Sequence, residues 1–112
     1  MAYYVLRRMQ RLLAGLQVFP DRMRANLDAS FGLVFSQPVL LALVQGGLER
    51  DDAYRIVQES AATAWRERRS FRDLLDADQR VTVPSTLLDD AFDLQRSLHH
   101  SGAVFTAVDA LE

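Results

Sequence analysis

With 112 residues, 49% of them apolar, and a formal charge of −2, the chain suits one small domain with a modest core and offers nucleic acid or anionic lipid no global attraction. It contains no cysteine, which excludes a disulfide framework and thiolate metal sites, and no apolar run has the length of a membrane span. All 13 basic residues are arginine, so Schiff-base, phosphate-loop and general-base lysines are excluded together.

Val5, Leu6, Met9, Leu12, Leu13 and Leu16 recur at the three-and-four spacing of one helix face, with Arg7, Arg8 and Arg11 between them. No Ser, Thr, Asp or Asn precedes this run, and no small-residue cleavage site follows it, so it reads as a helix without a start signal and not as a secretory leader. A reducing cytoplasm is the expected location. Pro20 suits the first turn of a second helix, which runs to about Asp28. The segment Phe31–Phe35 is apolar without helical spacing and carries Gly32, predicting a buried connection. Ser36 and Gln37 ahead of Pro38 form a helix start, with capping the expected role of the serine, and Val39 to Val44 fill a short buried helix that stops at Gly46 and Gly47.

Ala53, Ile56, Val57, Ala61, Ala64 and Trp65 mark the apolar stripe of a longer helix from about Arg50 to Arg68, with Trp65 expected as a core anchor. Ser70 with Asp73, and Thr86 with Asp89, have capping-box spacing ahead of two further helices, separated by a linker from Val81 to Pro84. Leu88, Ala91, Phe92 and Leu98 continue helically towards Gly102, and Val104, Phe105, Val108 and Leu111 belong to a last helix. The pattern predicts an all-α fold, a small helical domain of about six or seven helices joined by short turns.

Several blocks along this path are those of a known family. FPDRMRANLD and GLVFSQPVLLAL, between Phe19 and Leu43, are followed by AYRIVQESAATAW from Ala53 to Trp65 and by FRDLL from Phe71 to Leu75. Their order and gaps resemble the carboxy-terminal part of adenylosuccinate lyases, in the fumarase and aspartase superfamily. The resemblance implies that residues 1–17 correspond to the end of a long central-bundle helix and residues 18–112 to the carboxy-terminal helical domain. It implies the parent reaction too: elimination of fumarate from adenylosuccinate, giving AMP, and from the succinylocarboxamide ribotide intermediate of purine biosynthesis. In that family a base removes a proton beside a carboxylate while an acid protonates the departing nitrogen, with no metal or organic cofactor. The histidines and serine given these roles lie in segments with no counterpart here, and family active sites combine side chains from several subunits of a homotetramer. The implied partners are therefore the rest of the lyase polypeptide, its homotetramer and a small nucleotide substrate, without nucleic acid or membrane. The chain alone is expected to be inactive. Two alternatives remain: a carboxymuconate cycloisomerase tail, which shares an RMRANLD-like phrase, and a free-standing helical interaction or DNA-binding module using Arg66 to Arg72.

Within the chain no catalytic residue and no metal ligand is assigned. His99 and His100 are adjacent, so on a helix they point about 100° apart and make a poor metal pair; a solvated or capping place near a helix's last turn is expected. Asp51, Asp52 and Glu49 sit where carboxylates offset exposed helix N–H groups. Family members often have Ser or Thr at the position of Glu49, and commonly Arg at that of Pro38, so neither contact carries over. The candidates for substrate binding are Ser36 and Gln37, polar residues at a helix start between two apolar segments, where N–H groups can meet an anion.

Overall fold

The computed structural model describes residues 1–111 and is all-helical over them. Seven α-helices of seven residues or more are α1 (Ala2–Ala14), α2 (Pro20–Asp28), α3 (Ser36–Gln45), α4 (Arg50–Glu67), α5 (Phe71–Ala77), α6 (Ser85–Ala91) and α8 (Ser101–Asp109). A single turn, α7 (Leu94–Ser97), separates the last two, and a 3-10 turn over Leu33–Phe35 leads into α3.

The core is built from the middle of the chain. Val39, Leu40, Ala42 and Leu43 of α3 meet Ala53, Ile56, Val57 and Ala64 of α4. Phe71 and Leu75 of α5, Leu88 and Ala91 of α6, and Val83 of the preceding loop close the cluster. On α4 the buried positions run Ala53, Ile56, Val57, Ser60 and Ala64, a narrow stripe of mostly small residues that lets α3 and α5 approach. Trp65 is not part of it. It lies about 100° round the helix from Ala64 and is 65% exposed, touching Phe31 edge-on at 6.2 Å between ring centroids. The expectation of a core tryptophan is thus corrected: the stripe's register is set by Ala64, and its neighbour falls beyond the rim.

Helix ends follow local chemistry. Pro20 occupies the first turn of α2, where its missing N–H costs nothing. α3 ends in a Schellman arrangement, with Leu48 N–H donating to the Leu43 carbonyl at 3.1 Å, Gly47 N–H to Val44 at 3.0 Å, and Gly47 at φ 104°. Gly46 beside it serves packing, since a Cβ there would fall 2.1 Å from Val83 Cγ1. Ser70 caps α5 as its spacing predicted, its hydroxyl accepting from Asp73 N–H at 3.3 Å. Thr86 does not cap α6, which starts one residue earlier behind Pro84, whose fixed φ sets the entry. Glu49 precedes α4 without a side-chain cap, while Asp51 and Asp52 stand in its first turn.

Two further expectations change. The 31–35 segment is half-buried rather than buried, with Val34 on the surface, and it turns through a left-handed pair at Phe31 (φ 57°) and Gly32 (φ 88°). The helix expected to run from Thr86 towards Gly102 breaks at Phe92 because Asp93 caps a new turn, its carboxylate accepting from Gln95 N–H at 2.9 Å.

The two ends of the chain differ from this middle. α1, α2 and α8 bury no residue, and the predicted stripe from Val5 to Leu16 is exposed throughout, as are Val104, Phe105 and Val108. Tyr3 and Tyr4 hydroxyls accept from Arg7 and Arg8 Nε at 3.1 Å along α1, local pairs that need no neighbour. The radius of gyration, 19.4 Å with extents of 59 × 32 × 24 Å, exceeds the roughly 13 Å of a compact chain this long. Among the described residues no single helix is long and apolar enough to cross a membrane.

Candidate functional site

Ser36 and Gln37 are the first two residues of α3, directly after the 3-10 turn. The Ser36 hydroxyl donates to the Leu33 carbonyl at 2.7 Å, so it looks back into the turn and does not cap the helix N–H groups as expected. A serine inside the first turn finds the preceding turn's carbonyl closer than any free N–H. Gln37 is exposed beside it.

His99 and His100 stand on the turn between α7 and α8, both exposed, their rings edge-on at 4.9 Å. They lie outside any helix's last turn, because α7 closes at Ser97. Among the described residues no group of His, Asp and Glu converges so as to hold a metal ion.

The basic run from Arg66 to Arg72 is divided by the fold. Arg66 and Arg69 remain on the surface and pair with Glu67 at 3.3 and 3.5 Å. Arg68 takes the left-handed position that ends α4, at φ 53°. Arg72 turns inward, its side chain 22% exposed, and joins two helices: it reaches Asp76 on α5 at 3.0 Å and Asp89 on α6 at 2.8 Å, with its guanidinium 5.7 Å from the Phe92 ring centroid. Burial works to lower the Arg72 pKa, but hydrogen bonds and charge from Asp76 and Asp89 outweigh it, and the net shift is upward. Arg72 is therefore an internal tie and not part of a phosphate-binding surface. Its i,i+4 spacing to Asp76 is readable in the sequence; Asp89 and Phe92 are brought to it only by the tertiary fold.

A second tie holds the loop after α5. Arg80 Nη2 bonds Asp78 at 2.7 Å and crosses to Glu59 on α4 at 2.8 Å. The hydrogen bond from Arg80 holds the Asp78 carboxyl below the usual carboxylate range, against the opposing effect of burial. Arg80 is raised in turn by its bonds to Asp78 and Glu59.

One cleft was not indicated by any local pattern. It has a volume of about 530 Å³ and lies between α2, the 31–35 corner, the start of α5 and α7. Phe31, Phe35 and Phe92 wall it together with Leu27 and Leu94. Arg24, Asp28, Asp93, Gln95 and Ser70 provide its polar edge. Ser36 and Gln37 do not line it.

Taken together, the geometry defines an all-α domain whose charged groups tie helices to one another and whose terminal helices keep their apolar faces outward. Its relatives are specific. The family described as adenylosuccinate lyase C-terminus matches residues 32–108, and the chain belongs to that family. It is 38% identical over 104 residues to an adenylosuccinate lyase of Bacillus subtilis, a match covering 91% of this chain and 24% of that protein. To an adenylosuccinate lyase of a Synechocystis species it is 38% identical over 112 residues, 97% of this chain and 26% of that protein. The chain thus spans about a quarter of the length of the curated relatives it matches.

Proposed function

We propose that this sequence serves as the carboxy-terminal domain of an adenylosuccinate lyase, completing an enzyme that eliminates fumarate from adenylosuccinate to give AMP and acts likewise on the succinylocarboxamide ribotide precursor in purine biosynthesis. In this reaction a carbon–nitrogen bond breaks, the carbon beside the neighbouring carboxylate loses a proton to a base, and the departing nitrogen gains one from an acid. The observation that carries the reading is the match of nearly the whole chain to one quarter of two lyases. The fold supports it through the outward apolar stripe from Val5 to Leu16, which suits packing against other helices.

On this reading residues 1–17 finish a bundle helix, residues 18–112 form the helical domain, and the partners are the remaining lyase polypeptide, its homotetramer and the nucleotide substrate. The location is the cytoplasm, and no cofactor is needed. Ser36 and Gln37 remain the candidates for substrate contact, through the N–H groups of α3. The DNA-binding alternative loses one member of its basic run, because Arg72 is turned inward and committed to Asp76 and Asp89, while Arg66 and Arg69 pair on the surface with Glu67. Both relatives are lyases of the purine type, which favours that reading over a cycloisomerase tail.

The test is a chimera in which this chain replaces the matching quarter of the Bacillus subtilis enzyme, with fumarate release followed by ultraviolet absorbance. An assembled chimera should turn over adenylosuccinate, whereas the 112-residue chain alone should not. A chimera that assembles and is inert, or turnover by the isolated chain after repurification, would overturn the proposal.

A further inference from the structure

We propose that the cleft between α2, the 31–35 corner and α7 is a binding site for an arginine side chain presented by a segment of another protein. Its volume, about 530 Å³, is within the range of sites that enclose a ligand group, about 300–1,000 Å³. Three phenyl rings, Phe31, Phe35 and Phe92, give it an aromatic wall, with Phe35 and Phe92 in tilted contact at 5.4 Å. Gly32 lies in its lining at φ 88°, and a Cβ there would come within 3.3 Å of Phe92 Cε1, so this corner of the wall is closely packed.

The charged residues at its edge choose the ligand. Asp28 and Asp93 face one cation, Arg24, so the lining carries a net negative charge. Arg24 stands 3.6 Å from Asp28, both side chains are 69% exposed, and such a loose surface pair is readily exchanged. An aromatic wall under a negative rim suits an organic cation. Guanidinium suits it better than ammonium, because the planar group lies along a ring face while its edge donates to a carboxylate. The protein already makes this arrangement once on the same ring: Arg72 lies 5.7 Å from the Phe92 centroid while bonding Asp76 and Asp89. The inference uses none of the lyase chemistry and stands or falls apart from it.

The experiment titrates isotope-labelled 112-residue chain with a blocked Gly-Arg-Gly peptide and follows amide resonances, with Gly-Lys-Gly and Gly-Gln-Gly peptides as controls. The arginine peptide should give saturable shifts centred on Phe31, Gly32, Phe92 and Asp93. The lysine peptide should bind roughly three- to fivefold more weakly, and the glutamine peptide should be silent. Asp28→Asn, which removes a negative charge from the last turn of α2 and so does not harm the helix, should weaken arginine binding roughly threefold or more. Lysine binding as tightly as arginine, shifts centred elsewhere, no saturation at millimolar peptide, or an Asp28→Asn variant of unchanged affinity would each overturn the site. If the same resonances move on dilution without peptide, a second copy of this chain is the occupant and the partner segment is overturned.

Discussion

The middle of the chain and its two ends obey the same helical patterning with opposite results. α3 and α4 present apolar stripes that are buried against each other, whereas α1 and α8 present stripes of comparable spacing that face outward. The difference is one of partners and not of local sequence. Ala53, Ser60 and Ala64 make α4 narrow enough for α3 and α5 to seat on it, and Phe71 and Leu43 fill the space with no exposure at all. The leucines of α1 are larger and have no such neighbour within the described residues, so amphipathicity there records a surface to be covered. Amphipathic spacing alone therefore predicts that a face wants burial, and says nothing of where the burying element lies.

The sharpest way to break this comparison is to remove bulk on each side of it. Phe71→Ala deletes a fully buried ring at the junction of α5 with the 31–35 corner, and should cost about 3–5 kcal/mol, a large share of a small domain's stability, read as a collapse of the urea midpoint. An unchanged midpoint would mean that the middle of the chain is not a cooperative core. Trp65→Ala removes a still larger ring system, but at the rim. It should cost only the edge contact with Phe31, about 0.5–1.5 kcal/mol, and a loss as large as that of Phe71→Ala would place the indole in the core after all. Smallest of all should be Leu6→Asp with Leu13→Asp on α1, within about 0.5 kcal/mol for unfolding of the middle. Amide exchange in α3 and α4 should be unaltered by that pair; faster exchange there would show that α1 supports the core.

Much of the fold was legible because its signals are local. Pro20 fixed the start of α2, Gly46 and Gly47 the end of α3, and Ser70 the start of α5, each through chemistry confined to one turn. Trp65 was misread because a stripe extended by one residue rotates about 100°, and only the packing of Ala64 shows where the stripe ends. Thr86 failed as a cap because Pro84 set the helix entry first, and the run towards Gly102 failed because Asp93 offered the backbone a competing bond. Of the candidate site, Ser36 and Gln37 were placed at the right helix start, but the direction of the Ser36 hydroxyl depends on the 3-10 turn before it. The Phe31–Phe35–Phe92 cleft had no local signature, since its walls come from elements distant in sequence.

One backbone bond has a consequence for the order in which these elements assemble. The Phe71 N–H donates to the Phe31 carbonyl at 2.9 Å, across the left-handed corner, and so closes the loop that contains α3 and α4. Single helices form in about 0.1–1 μs, but a contact this distant in sequence must first overcome the loss of loop entropy. The corner is expected to lock only once α3 and α4 have docked. Protection of the Phe71 amide during refolding then times the moment at which the middle of the chain becomes one cooperative unit.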